Sequence, residues 1–209
     1  MSEVEVGDFS APLGSVTEGR LEFRRGASGV VIHTEQGDHL YRAHFEGRMP
    51  EIRVRGGTVA IEYSRLQAAS AALFDRGPKS DLTLNASIPW QVRVHGGLSE
   101  LTADLSGVEL RYLEVRGGIS HARLALGRPV GTVRIRVLGG ASDLTIRRPR
   151  TVVTSFSVRG GVSRLALDEQ RFGAIGGPVR LQSPDSEAAA DRYEVEIRGG
   201  ASGVTIEAA

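Results

Sequence analysis

Apolar and polar residues alternate along most of the chain, and a pair of glycines breaks the alternation at regular places. Before the glycines the apolar positions run Ile52/Val54, Trp90/Val92/Val94, Val133/Ile135/Val137 and Tyr193/Val195/Ile197. After them the alternation resumes as Val59/Ile61, Leu124/Leu126, Leu144/Ile146, Leu165/Leu167 and Val204/Ile206. A period of two with one apolar face predicts half-buried strands, because successive side chains of a strand leave opposite faces. Glycines between two such strands predict a sharp corner, or positive φ, where a side chain would collide.

The unit repeats. Aligned on the glycine pair, the copies are "EIRVRGGTVAIEY" (51–63), "WQVRVHGGLSELTADL" (90–105), "YLEVRGGISHARLAL" (112–126), "RIRVLGGASDLTIRR" (134–148), "SFSVRGGVSRLALDE" (155–169) and "YEVEIRGGASGVTIE" (193–207). An opening phrase, "RRGASGVVIH" (24–33), reads as a degenerate seventh copy and nearly matches the closing "RGGASGVTIE" (198–207). The second glycines are Gly57, Gly97, Gly118, Gly140, Gly161 and Gly200, in steps of 40, 21, 22, 21 and 39 residues. A unit of about 21 residues with two gaps nearly twice as long signals a repeat architecture.

Two strands in one such unit cannot bury their apolar faces alone, so the units must stack with equivalent strands side by side. The expected fold is all-β, a right-handed single-stranded β-solenoid with these six glycines as structural corners. A sandwich of hairpins is the rival, but the chain has no Asn-Gly or Asp-Gly turn. Two stretches depart from the pattern. "SRLQAASAALFDRGPKSD" (64–81) has helical propensity in its first part and predicts a short helix or packed loop near 64–75. "SPDSEAAADRY" (183–193) reads as an excursion from the coil. Residues 1–16 are polar and acidic and are expected to form a flexible N-terminal segment, with 17–209 a single domain. The closing "GVTIEAA" lacks a polar capping segment, so the last coil is expected to leave an open strand edge.

The stretch "LTLNASIPWQVRVHGGLSELTADLSGVELRYLEVRGGISHARLAL" (82–126) resembles the toast-rack domain family. There "L-x-L-N" followed by "I-P" leads into a glycine-containing coil, and "DLSGVELRYLEVRGG" leads into the next. "LEFRRGASGVVIH" followed by "YRAHFEGRMPEIRVRGGTVAIEY" is similar to the family's entry module, so the match covers most of 18–207. The family includes the soluble C-terminal domains of Lia-type envelope-stress regulators and is similar to adhesin domains. The resemblance implies a bacterial stacked-β domain without established catalysis, often coupled to membrane or signalling partners. The Lia type carries transmembrane helices and this chain does not, so no sensing role and no catalytic residue carry over.

Composition narrows the chemistry. Acidic and basic residues nearly cancel, 25 against 26, so net charge does not point to nucleic acid or anionic membrane. Cysteine is absent, which excludes disulfides, thiolate metal sites and a cysteine nucleophile. The polar start is no signal peptide, and no apolar run approaches the roughly 20 residues of a membrane span, so a soluble cytoplasmic protein is expected. The glycine pairs are followed by strands and by no G-K-[ST], which argues against a nucleotide loop. No catalytic, cofactor-binding or metal residue is predicted.

Four outward features remain. Ser28, Ser99, Ser120, Ser142, Ser163 and Ser202 recur two positions after the corner, where hydroxyls bonding corner backbone explain them better than catalysis. His33, His39 and His44 lie near Glu35, Asp38 and Glu46, and a hairpin of 30–33 with 40–45 would let His33 approach the other two. Their spacing matches no recognised zinc pattern, and they are expected to be solvated. The residues just before the corners, Arg55, His95, Arg116, Leu138, Arg159 and Arg198, should align into an outward arginine stripe able to meet an acidic partner. Two residues earlier the signs alternate, which allows self-pairing across coils through Arg93, Glu114 and Arg136. Lastly, Ala60, Thr102, Ala125, Thr145, Ala166 and Thr205 suggest a flat outer face. The reading is a non-catalytic structural or protein-interaction module, a homo-oligomer joined at a solenoid end or along the Ala/Thr face. The alternative is a regulatory module of a bacterial stress-response system that binds a protein or anionic partner through the arginine stripe.

Overall fold

The computed structural model describes residues 5–63, 79–183 and 189–209. The described residues form strands and no helix. The expected helix or packed loop near 64–75 lies outside them. The first part of the chain contributes β1 (Val6–Pro12), β2 (Gly19–Phe23), β3 (Ala27–Glu35), β4 (His39–Glu46), β5 (Glu51–Arg55), β6 (Thr58–Glu62) and β7 (Lys79–Asn85). The regular middle contributes β8 (Trp90–Val94), β9 (Leu98–Leu105), β10 (Leu110–Val115), β11 (Ile119–Leu126), β12 (Thr132–Val137) and β13 (Ala141–Arg148). The last part contributes β14 (Val153–Val158), β15 (Val162–Leu167), β16 (Gln170–Phe172), β17 (Val179–Gln182), β18 (Arg192–Ile197) and β19 (Ala201–Ala208).

The strands form two sheets whose inner faces share one apolar core. The first, here sheet A, has ten strands in the order β1-β4-β7-β3-β9-β11-β13-β19-β15-β16, and sheet B has nine in the order β17-β14-β18-β12-β10-β8-β2-β6-β5. Each coil is one strand of sheet B, a corner, then one strand of sheet A, and neighbouring coils pair in parallel. The alternation in sequence is the alternation in burial: β12 reads half-buried, buried, exposed, buried, half-buried, buried. Leu113, Ile135 and Val195 meet across sheet B, and Leu124, Ile146 and Ile206 across sheet A, all nearly inaccessible.

The stacking order departs from the chain order at two places. The coil β2–β3 lies between β6/β7 on one side and β8/β9 on the other. The closing coil β18–β19 lies between β12/β13 and β14/β15. The last strand is therefore interior and leaves no open edge, contrary to the expectation from a sequential solenoid. The two long steps between glycine pairs mark these places, because each spans one end of the stack where the chain leaves the regular coil. Both ends finish in antiparallel strands. At one end β4 and β1 extend sheet A and β5 extends sheet B, and at the other β16 and β17 do so. Val6–Pro12, inside the segment expected to be flexible, runs as β1 against β4.

The corners explain the glycines. Along the stack the corner residues form their own hydrogen-bonded ladder: Leu98 N to Gly118 O at 2.9 Å, Ile119 N to Gly140 O at 2.9 Å and Ala141 N to Gly200 O at 3.0 Å. A Cβ on Gly117 would lie 2.6 Å from the Gly96 carbonyl, and one on Gly139 would lie 2.7 Å from that of Gly117. Backbone stacked this closely excludes any side chain. Positive φ occurs elsewhere, three residues after the second glycine, at Glu100, His121, Asp143 and Arg164, with φ between 49° and 54°. The two phrases "GASG" place Gly29 and Gly203 at that same left-handed position, each with φ of 65°. This residue is skipped in the pairing, so two successive side chains point outward before the alternation resumes.

Gly56 and Gly57 are different. Both have positive φ, 52° and 80°, and they close an antiparallel hairpin in which Arg55 pairs with Thr58. Gly57 is thus a residue of a two-residue hairpin turn and not a solenoid corner. Gly-Gly supplies the primed turn that hairpins require as readily as Asn-Gly does. The stretch "LTLNASIPW" also has a structural explanation. Asn85, 2% exposed, donates to the carbonyls of Gly37 and His39 and accepts from Ser87 N, while the Trp90 indole donates to Asn85 O at 2.8 Å. Trp90 lies against Gly19, where a Cβ would be 2.6 Å from the ring.

Candidate functional site

The outer face of sheet B carries two aligned columns rich in charged residues. Register places Arg24, His95, Arg116, Leu138, Arg198 and Arg159 in one column beside the corners, in that order along the stack. Arg24 occupies the place expected for Arg55, which sits beside the hairpin turn at the other end of its strand. The next outward column reads Glu22, Arg93, Glu114, Arg136, Glu196, Ser157 and Arg180. Its alternating signs pair across coils and along strands. Arg136 lies 3.7 Å from Glu114 and 3.1 Å from Glu196, Arg116 lies 3.3 Å from Glu114, and Arg159 and Arg198 lie 3.1 and 3.2 Å from Glu196. Arg93 does not join Glu114 as the sequence suggested. It donates to Gln91 and stands over the Tyr112 ring, 5.7 Å from its centroid.

These contacts set the electrostatics. The Tyr112 hydroxyl, helped by Arg116 and Arg136, holds the Glu114 carboxyl below its ordinary range against partial burial. Burial pushes Glu196 upward, but hydrogen bonds from Arg136 and Arg198 outweigh it and leave its pKa lowered. Guanidiniums nonetheless outnumber carboxylates here. Glu196 serves Arg136, Arg159 and Arg198, and Glu194 serves Arg134 and Arg192. Arg180, aligned with Ser157, has no partner among the described residues. Serines 155 and 157 leave room between these groups for an open groove of about 630 Å³.

The serine column is a ladder. Ser28, Ser99, Ser120, Ser142, Ser202 and Ser163 are aligned in successive strands of sheet A. Ser99 Oγ donates to Ser28 Oγ at 2.9 Å and Ser163 Oγ to Ser202 Oγ at 3.1 Å, so these four hydroxyls bond one another and not the corner backbone. Beside them the glycine corners form a shallow open groove of about 550 Å³. Ser120 and His121 both face outward, because the left-handed backbone of His121 interrupts the alternation; the nearest ionic partner of His121 is Asp143, at 3.5 Å.

The three N-terminal histidines do not converge as a hairpin. β7 separates β3 from β4, and Asp81 of β7 stands between His33 and His44. His33 Nε2 is 3.7 Å from Asp81, His44 Nδ1 is 2.8 Å from Asp8 of β1, and His39 Nδ1 is 2.7 Å from Asp38. The hydrogen bond that His44 donates to Asp8 raises the His44 pKa above its ordinary value. Among the described residues no His, Asp or Glu group is gathered in a metal-holding arrangement. The flat Ala/Thr face is not formed. Thr102, Arg123, Thr145, Thr205 and Ala166 align in one column, while Ala125 aligns with Asp104 and Arg147 in the next, and Ala60 is buried in sheet B. Arg123 therefore stands in the column where Ala125 was expected, because Ala125 lies seven residues after its second glycine and Thr102, Thr145, Ala166 and Thr205 lie five after theirs.

Comparison with known proteins identifies the architecture. A family model described as the N-terminal domain of toast_rack, DUF2154, matches residues 2–147. The chain belongs to the toast-rack family. No curated protein matches it. Among solved structures, this toast-rack chain is similar over 99% of its length to all of a protein from Clostridium sporogenes ATCC 15579 described as a "putative cell adhesion protein". The TM-score is 0.76 at 17% identity, which establishes a shared fold. A "putative adhesin" from Bacteroides fragilis NCTC 9343 matches over 99% of this chain and 98% of that one, at 8% identity and a TM-score of 0.32. The toast-rack match ends before β14, whereas the Clostridium structure spans both ends of the stack. No helix among the described residues is long and apolar enough to cross a membrane.

Proposed function

We propose that this toast-rack chain is a non-catalytic structural and protein-interaction module that self-associates. The observation that carries this reading is the use of its polar groups. Along the outer face of sheet B they are spent on one another, as in the Arg116–Glu114–Arg136–Glu196 series, and in sheet A four of the six aligned serines bond one another in pairs. A catalytic centre needs a nucleophile or acid with a positioned partner, and a ladder of equivalent groups supplies none in particular. The full-length likeness to a protein described as having a cell-adhesion role is in keeping with work done by surfaces. Sedimentation of the purified chain across a hundredfold concentration range tests the reading: mass should rise toward a defined oligomer, and an unchanging monomer mass would contradict it.

A second reading is favoured by the surplus of guanidinium in the groove of Arg134, Arg136, Arg159 and Arg180. There the chain would serve as a regulatory module, in a stress-response system, that holds an acidic partner. Within the sequence-derived stripe only Arg159 borders this groove, so Arg159→Glu with Arg180→Glu should abolish recovery of such a partner while Arg116→Glu leaves it intact. Equal loss from all three would point to general charge and sink the groove as a site.

A further inference from the structure

The two ends of the stack are finished differently. Four large apolar side chains are exposed among the described residues, Val6 at 56%, Phe9 at 37%, Val54 at 42% and Val130 at 54%. Three of them lie on β1 and β5, the outermost strands of the same end. Register shows that Phe9 and Val54 are core-facing: Phe9 pairs with buried Ala43 and Val54 with buried Val59. Phe9 also packs edge-on against Phe45, which is 0% exposed, with ring centroids 5.7 Å apart. The core thus continues to this end, and among the described residues nothing covers Phe9 and Val54 fully. At the opposite end Ile175 bridges to Val162, Val179 is buried, and the edge strands β16 and β17 have only three and four residues. Short edges and covering loops are how proteins close a sheet, and β1, with seven residues, has neither among the described residues.

The open end is also stepped. Beyond β6 and β7, sheet A continues by two strands and sheet B by one. Resting on the self-association reading above, we propose that a second copy of this chain docks on this end about a two-fold axis, with β1 of each copy beside β5 of the other. That arrangement fills both steps equally, whereas β1 against β1 would leave the shorter sheets apart. The chemistry matches on both faces. On the core side Phe9 would meet Val54 of the other copy. On the outer side Asp8, with Glu5 nearby, would meet Arg53 and Arg55, of which Arg55 has no partner among the described residues. The backbone is ready as well. Glu5 O accepts from Gly47 N, so the odd-numbered residues of β1 bond β4 and the amides of Asp8 and Ser10 face outward.

The chain has no cysteine, so single cysteines report pairing cleanly. Ser10→Cys and Arg53→Cys proteins, mixed and oxidised, should cross-link mainly to each other, and each alone should give little dimer. Phe9→Glu and, independently, Ser10→Pro should weaken the dimer at least about tenfold by sedimentation while circular dichroism and cooperative melting persist. Ser10→Pro keeps the test sound if Phe9→Glu fails to fold, since it removes only an outward amide. A protein that stays monomeric to about 1 mM overturns both this docking and the reading it rests on. A dimer indifferent to both substitutions, or Ser10→Cys cross-linking chiefly to itself, overturns this docking alone.

Discussion

From Gly26 to Gly161 each coil meets the next through corners without side chains and through a buried aliphatic column, whereas the strands beyond β6/β7 and β14/β15 run antiparallel. The middle is held by translation of one unit: the contact made once is made again at every coil, and its register is fixed by glycine backbones that touch. The ends must stop that translation, and each stops it with a reversed strand in each sheet. The difference teaches that the repeat encodes adhesion between coils, and that termination and any docking belong to the residues that break it.

The largest expected effect separates the two regions by burial. Ile206→Asp places a charge in the interior of the closing coil, where Ile206 is 0% exposed, and should cost about 4 kcal/mol or more or abolish folding. Val54→Asp, at the uncovered end, should cost less than about 1 kcal/mol in the monomer. Comparable losses in chemical denaturation would erase the distinction. Next come the glycines. Gly117→Ala drives a Cβ into the Gly96 backbone and should cost about 1–3 kcal/mol, whereas Gly173→Ala, with nothing within 4 Å, should be within about 0.5 kcal/mol of neutral.

Smaller and opposite in sign are the pH responses. Glu114 and Glu196 have depressed pKa values in the fold, so their contribution is present above the ordinary carboxylate range and is lost as pH falls through their lowered values. Replacing both with Gln should flatten the loss of melting temperature below about pH 4. His44 has a raised value through Asp8, so its tie between β4 and β1 is complete below about pH 6.5 and loosens as pH rises through the raised value. Proteolysis within β1 should therefore quicken at neutral to alkaline pH while the middle coils stay resistant. Asp8→Asn should remove that dependence.

Much of the middle was legible because its causes are local. Val133, Ile135 and Val137 alternate because one face is buried, and the paired glycines recur because backbones stack at each corner. The order of the coils was not legible, since β19 pairs with β13, some sixty residues away, through contacts any aliphatic coil could make. A trace existed in the two steps of about 40 residues and in the glycine of "GASG", which marks both out-of-order coils at their left-handed position. Gly57 misled because the letters "RGG" serve a corner and a hairpin turn alike, and only the long step after it hinted at a different use. The Ala/Thr face misled because alternation gives a side chain's face but not its column: Ala60 and Ala125 lie three and seven residues after their second glycines, whereas Thr102, Thr145, Ala166 and Thr205 lie five after theirs. Of the arginine stripe, Arg116, Arg159 and Arg198 stand in one column, while Arg24 and Arg180 were missed because one lies in a degenerate copy and the other in a strand outside the repeat.

Hydrogen exchange at the closing strand tests the out-of-order stack most directly. With β19 flanked by β13 and β15, the amides of Val204 and Ile206 should exchange in the slowest class, together with those of Leu124 and Ile146 in β11 and β13. In the dilute, monomeric protein, exchange at those two amides as fast as at Ser10, on the edge strand β1, would show a closing coil that ends the stack and would contradict the account.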